Sequence, residues 1–197
     1  MSKSANHSKH VQPNTLEVAS AFANFLTTLG FDWENDVQMV DTPHRVAKMY
    51  VKELFAGCYE DEPKFTMFPN TTQMDEMVIL KRVRIISTCS HHFMPFSGYI
   101  SIGYIPGEKV CGISKLARVA NWFAKRPQIQ EELTSQIVSF LEEKLKPVGV
   151  MVVIEAQHGC MTNRGVNEFN SSMVTSRVTG AFKKDETRQE FLSLIRS

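Results

Sequence analysis

The sequence predicts an α+β protein with a largely antiparallel sheet. Two runs rich in β-branched and aromatic residues, over 77–86 and 98–105, come first. Two helical patterns follow over 114–125 and 128–145, and strand patterns return over 148–157 and 172–182. Strands grouped on either side of a helix pair, rather than alternating with single helices, give that class.

In chain order, a first helix is expected over 15–29. Asn14 can cap it with Glu17 three residues on, Gly30 stops it, and Leu16, Ala19, Phe22, Leu26 and Leu29 make an apolar stripe. A second helix has Thr42 as N-cap, Pro43 at its first position and Gly57 as its stop, with Val46, Met49, Tyr50 and Leu54 on one face. The stretch 60–73, rich in Pro, Asp and Thr, reads as a loop that separates a helical segment (15–74) from a sheet-containing domain (75–197). Pro106-Gly107 predicts a hairpin turn into a strand over 109–112. Ile129, Leu133, Ile137, Phe140, Leu141 and Leu145 trace one face of the longest helix, which Pro147 terminates. A closing helix is expected over 186–195.

Composition narrows the function. The 197 residues are 43% hydrophobic and 22% charged, as in ordinary globular proteins, and long enough to bury a core. A net charge of +1 gives no basis for a nucleic-acid-binding surface. No stretch has the length of a membrane span. Residues 1–14 are polar, lack the apolar core of a signal peptide, and are expected to form a flexible tail on a cytoplasmic protein. The four cysteines do not resemble a disulfide framework. Cys58 and Cys111 read as small buried hydrophobes, whereas Cys89 and Cys160 each have histidine nearby.

Those two cysteines carry the most chemistry. Cys89-x-x-His92 lets one loop aim two ligands at one ion, with His91 between them, and His158-Gly159-Cys160 answers from the end of a predicted strand. Two thiolates and up to three imidazoles suit zinc, and three protein ligands leave a fourth tetrahedral position free, as catalytic zinc requires. Continued strand geometry would put His158 and Cys160 on one face roughly 6 to 7 Å apart, so one can bind metal while the other faces a substrate. The competing reading is a buried cysteine beside a hydrogen-bonded histidine.

Two helix starts are suited to anions. Ser114 looks like an N-cap followed by Lys115 and Arg118, and Thr42-Pro43 is followed by Arg45 and Lys48. Cations in a first turn oppose the helix dipole unless an anion sits there, in which case free N–H groups favour it too. Either pair can equally be a solvated charged face. Arg164 is a third candidate, and Glu131 and Glu132 stand near a helix start where the dipole favours acids in any case.

In this order, several segments resemble the GTP cyclohydrolase I family. They are Thr42-Pro43-His44-Arg45-Val46-Ala47-Lys48-Met49-Tyr50, Cys89-Ser90-His91-His92-Phe93-Met94-Pro95-Phe96 and Gly112-Ile113-Ser114-Lys115-Leu116-Ala117-Arg118. Gln130-Glu131-Glu132-Leu133-Thr134, Glu155-Ala156-Gln157-His158-Gly159-Cys160-Met161 and Arg164-Gly165-Val166 complete the set. The resemblance runs from about residue 15 to the C-terminus. It implies a tunnelling fold, an antiparallel sheet backed by two long helices, assembled as a homodecamer of two pentamers with active sites between subunits. It implies Cys89, His92 and Cys160 as Zn2+ ligands, and His91 and His158 as the catalytic histidines that act on the substrate, GTP. Glu131, preceded by Gln130, matches the carboxylate that grips the guanine edge. Ser114, Lys115, Arg118 and Arg164, with Arg45 and Lys48, match the ribose and triphosphate pocket.

The implied reaction opens the imidazole ring of GTP, releases formate and rearranges to 7,8-dihydroneopterin triphosphate, with no redox cofactor. Ser90 departs from the family, which usually has Glu there. Serine cannot hold a negative charge beside the metal, so a non-catalytic or arrested GTP-binding relative stands as the alternative.

Overall fold

The computed structural model describes residues 10–196. The tail expected over 1–14 lies outside the described residues as far as residue 9. The chain forms two compact units that divide between Asp61 and Glu62.

In the first unit, α1 (Thr15–Thr28) starts where Asn14 Oδ1 accepts a hydrogen bond from the Leu16 N–H at 2.9 Å, and Gly30 ends the turn with φ 85°. Of the expected stripe, Ala19 and Leu26 are buried, but Leu16 and Leu29 are exposed. The second helix departs from expectation at both ends. α2 (Thr42–Lys48) has Asp41 rather than Thr42 at its cap position, without a side-chain cap hydrogen bond, and Pro43 in its first turn. It widens into a π-helical turn over Met49–Leu54, and Gly57 lies inside a separate short helix, α3 (Ala56–Tyr59).

The second unit holds β1 (Met67–Pro69), β2 (Val78–Cys89), β3 (Pro95–Ile105), β4 (Lys109–Cys111) and α4 (Ile113–Ala124). It continues with β5 (Pro127–Gln128), α5 (Gln130–Leu145), β6 (Gly149–His158), α6 (Gly159–Thr162), β7 (Met173–Val178) and α7 (Asp185–Arg196). The main sheet has the order β5-β2-β3-β6-β7, antiparallel throughout except for the parallel β2–β5 pair. α4 and α5 back one face of it, as the α+β reading and the tunnelling-fold resemblance lead one to expect. Leu116, Val119, Ala120 and Phe123 of α4 and Leu133, Ile137, Leu141 and Leu145 of α5 close over Ile85, Phe96, Ile100, Ile102, Val150, Val152 and Ile154. Period-2 alternation in the strands and a 3.6-residue stripe in the helices put these side chains on facing surfaces.

On the opposite face, Phe191 of α7 packs with Phe182 and Met151. Gly103 makes room for it, since a Cβ there would lie 2.6 Å from the Phe191 ring.

Three local expectations are corrected. β4 does not return along β3 as a hairpin; it pairs antiparallel with β1, which lies within the stretch read as loop. The longest helix begins at Gln130, not 128, because Pro127 and Gln128 pair with Thr88 and Cys89 of β2. The last strand stops at Val178 and gives way to a 3-10 turn over Gly180–Lys183. Among the described residues, no helix is long and apolar enough to cross a membrane.

Candidate active site and metal centre

β2 and β3 form a hairpin, and its loop carries the first ligand segment. Cys89 ends β2 and is 6% exposed. The loop is closed by Cys89 N–H to Met94 O (2.8 Å) and Phe93 N–H to Cys89 O (2.9 Å), with Phe93 in the left-handed region at φ 55°. Ser90 N–H donates to Gln128 O at 3.3 Å, which ties the loop to β5. His91 and His92 project from this turn and are exposed. His91 Nδ1 lies 3.9 Å from Cys89 Sγ.

The second segment comes from β6. Its last residue, His158, pairs across the sheet with Phe96. The strand does not continue to Cys160 as expected: the chain turns at once into α6. Gly159 permits this, since a Cβ there would meet Pro95 O at 2.8 Å. The turn breaks the strand alternation and brings Cys160 to the hairpin loop. One thiolate or imidazole donor each from Cys89, His92 and Cys160 lies within 4.8 Å of the other two.

These donors fit a zinc ion. Two thiols and one imidazole converge from two loops, and a tetrahedral ion bound by them keeps one position open. Burial, and the Cys89 thiol beside it, push the Cys160 thiol above its ordinary pKa, while Arg164 pulls the other way. The thiolate is the form that binds metal, so a divalent cation at this site would offset the rise at Cys160. Arg164 Nη1 donates to His92 Nε2 at 3.2 Å. A guanidinium has no acceptor. Metal on either His92 nitrogen leaves no lone pair on the other, so metal binding and the Arg164 contact exclude each other.

His158 belongs to different surroundings. Its ring stacks on Phe96 with centroids 4.6 Å apart and planes 5° from parallel. Its Nε2 lies 2.8 Å from Gln130 Oε1. Burial lowers the His158 pKa from its ordinary value, and the Glu131 carboxylate partly offsets this. Glu131, exposed at the start of α5, makes no hydrogen bond or ion pair among the described residues and faces a polar cavity of ≈ 440 Å³. Thr134, Ser135, Thr175, Ser176 and Arg177 complete its lining.

The expected residues thus gather unevenly. Cys89, His91, His92, Cys160 and Arg164 form one cluster, and His158 joins it through Gly159 to Gln130 and Glu131. Ser114, Lys115 and Arg118 lie on the first two turns of α4, where Gly112, not Ser114, occupies the cap position. The side chains of Lys115 and Arg118 form no ion pair among the described residues. Arg45 and Lys48 are in the first unit, where Arg45 pairs with Asp41 at 3.2 Å. Nothing in the sequence pointed to Phe96 as a stacking partner or to Thr175, 45 residues beyond Gln130, as its hydrogen-bond partner.

A family model described as GTP cyclohydrolase I matches residues 18–196. GTP cyclohydrolase 1 of Salmonella choleraesuis (strain SC-B67) is 41% identical over 181 residues, spanning 91% of this chain and 81% of that protein. GTP cyclohydrolase 1 of Salmonella arizonae has the same identity and coverage. A crystal structure of the archaeosine synthase QueF-Like in the apo form aligns at TM-score 0.43 and 20% identity, covering 53% of this chain and 94% of that one. With most of its length matched by the family model and by relatives well above 30% identity, this chain belongs to the GTP cyclohydrolase I family, whose members are hydrolases.

Proposed function

We propose that the protein hydrolyses the imidazole ring of GTP, releases C8 as formate and closes the ribose carbons onto the diaminopyrimidine to give 7,8-dihydroneopterin triphosphate. The observation that carries this reading is the separation of roles at one site. Three zinc-suited donors converge within 4.8 Å, while His158, two residues from one of them, is held away on Phe96 and Gln130. A purely structural metal site has no need of such a histidine.

Cys89, His92 and Cys160 hold the zinc in this proposal. When bound, zinc would supply a nucleophile at neutral pH by lowering the pKa of water to about 7. His158 protonates N7 of the guanine, which makes C8 electrophilic, and His91, beside Cys89, moves protons as the C8–N9 bond opens. Glu131 accepts hydrogen bonds from the N1–H and 2-amino edge of guanine; adenine lacks that donor pair, so the carboxylate would go unpaired against it. Ser114, Lys115, Arg118 and Arg164 line the ribose and triphosphate end, with Arg45 and Lys48 supplied by a neighbouring copy in a decamer of two pentamers. The product is a starting compound for folate, biopterin or 7-deazaguanine synthesis.

Ser90 favours a second reading, a relative whose chemistry stops early or never begins. The two are separated by giving the purified zinc-loaded protein GTP and following formate together with the fluorescence of oxidised pterin. Both products support the full reaction. Formate without pterin means arrest after ring opening, and neither product refutes cyclohydrolase activity.

A further inference from the structure

Gln130 opens α5, and its side chain is 0% exposed. Its Nε2 lies 3.1 Å from Ile154 O, 3.0 Å from Met173 O and 3.1 Å from Thr175 Oγ1. Two of these are carbonyl oxygens, which only accept, so the amide NH2 must occupy this side and Oε1 the other. The opposite orientation would set the buried Oε1 against two carbonyls with no hydrogen between them. The neighbouring hydroxyls agree. Thr134 Oγ1 donates to Gln130 O at 2.8 Å, so in its 2.7 Å contact with Thr175 the shared hydrogen comes from Thr175. Thr175 Oγ1 therefore keeps lone pairs to accept from Gln130.

This fixes His158. Gln130 Oε1 can only accept, so the 2.8 Å contact requires a hydrogen on His158 Nε2. The stack on Phe96 holds the plane of the ring. Among the described residues Nδ1 has no hydrogen-bond partner, so in the neutral ring it carries the free lone pair. We infer that Gln130 is a positioning residue that locks His158 as its Nε2–H tautomer, which makes Nδ1 the nitrogen that exchanges a proton with the substrate. The inference rests on the proposed role of His158 and replaces direct contact between the Gln130 side chain and guanine. In the transfer, the Nδ1–H bond breaks as the N7–H bond forms, the imidazolium becomes neutral imidazole, and the Nε2 hydrogen stays on Gln130 throughout.

The test is the ¹⁵N spectrum of zinc-loaded enzyme labelled at histidine, with the His158 signals assigned by their loss in His158→Asn. Expected is a protonated Nε2 and an unprotonated Nδ1 in the neutral ring; the reverse tautomer overturns the inference without any need for a Gln130 variant. Gln130→Met keeps the volume and removes the acceptor. It should release the tautomer preference and lower kcat for formate release about 10- to 100-fold, with KM for GTP nearly unchanged. A raised KM with the tautomer intact would mean that Gln130 serves the substrate directly. Wild-type enzyme that releases no formate refutes the proposed reaction, whereas the tautomer is decided by the spectrum alone.

Discussion

Between His158 and Cys160 the strand ends, and that break puts the two side chains in different surroundings. Thiol and imidazole chemistry marked Cys89, Cys160 and up to three nearby histidines as candidate donors, but spacing could not say which histidines were ligands; only the family resemblance singled out His92. The contacts that support the proposed division are three-dimensional: the His158 ring lies on Phe96 and binds Gln130, neither of which is near it in sequence. Glu131 was likewise ambiguous at a helix start; in the structure it faces a polar cavity and has no hydrogen-bond or ion-pair partner among the described residues. Glu131→Gln should weaken GTP binding tenfold or more, because a charged acceptor to two donors is lost, while zinc content stays the same. Equilibrium binding and metal analysis on one sample check this. Away from the site, burial pushes the Tyr104 phenol up to about 12 from an ordinary value of 10.0. The folded value lies above the unfolded one, so the stability gained by keeping Tyr104 neutral is intact below the ordinary value and lost as pH rises toward about 12. Tyr104→Phe should remove the last phenolate step of the ultraviolet titration; loss of an earlier step contradicts this.

At the scale of elements, periodicity located the helices and strands well where packing follows pattern. α5 ends at Leu145 before Pro147, with Lys146 in the left-handed region at φ 48°, as its stripe and the proline required. Its start was misplaced because Gln128 is drawn into a two-residue parallel pairing with β2, a long-range contact that no local pattern encodes. The same holds for β4, whose partner β1 lies 40 residues upstream in a Pro-containing stretch with few strand signals. The short helix α6 was also hidden, since four residues are too few for a period. Its entry depends on Gly159. Gly159→Ala should force Pro95 or the α6 turn to shift, costing about 1–3 kcal/mol of stability as other overpacked sites do. Zinc affinity should fall with it, because Cys160 rides on that turn. Unchanged metal titration and denaturation curves would contradict this account of the turn.

Across the whole chain, the two units and the packed α4/α5 face explain what is buried, and the other sheet face shows what is not. Arg84, Tyr99, Glu155 and Val174 stand in one cross-strand row, with Tyr99 and Val174 exposed and Ile86 beside them exposed as well. Exposed apolar side chains set among charged ones, and a β7 strand at the edge of the sheet, are features that association commonly covers. This supports the proposed decamer, and sedimentation of the full chain should give a single species near ten copies; a monomer at micromolar concentration would contradict it. The decamer is an expectation of the family resemblance alone, since a single chain's pattern does not say what covers its surface.

The claim that joins these scales is that one site divides its histidines between metal and substrate. It is tested most directly by measuring zinc content and formate release on the same sample of His158→Ala. The account predicts zinc retained at the wild-type level and formate release reduced by about 100-fold or more, the loss of a general acid. Zinc lost with the imidazole, or formate released at the wild-type rate, would contradict it.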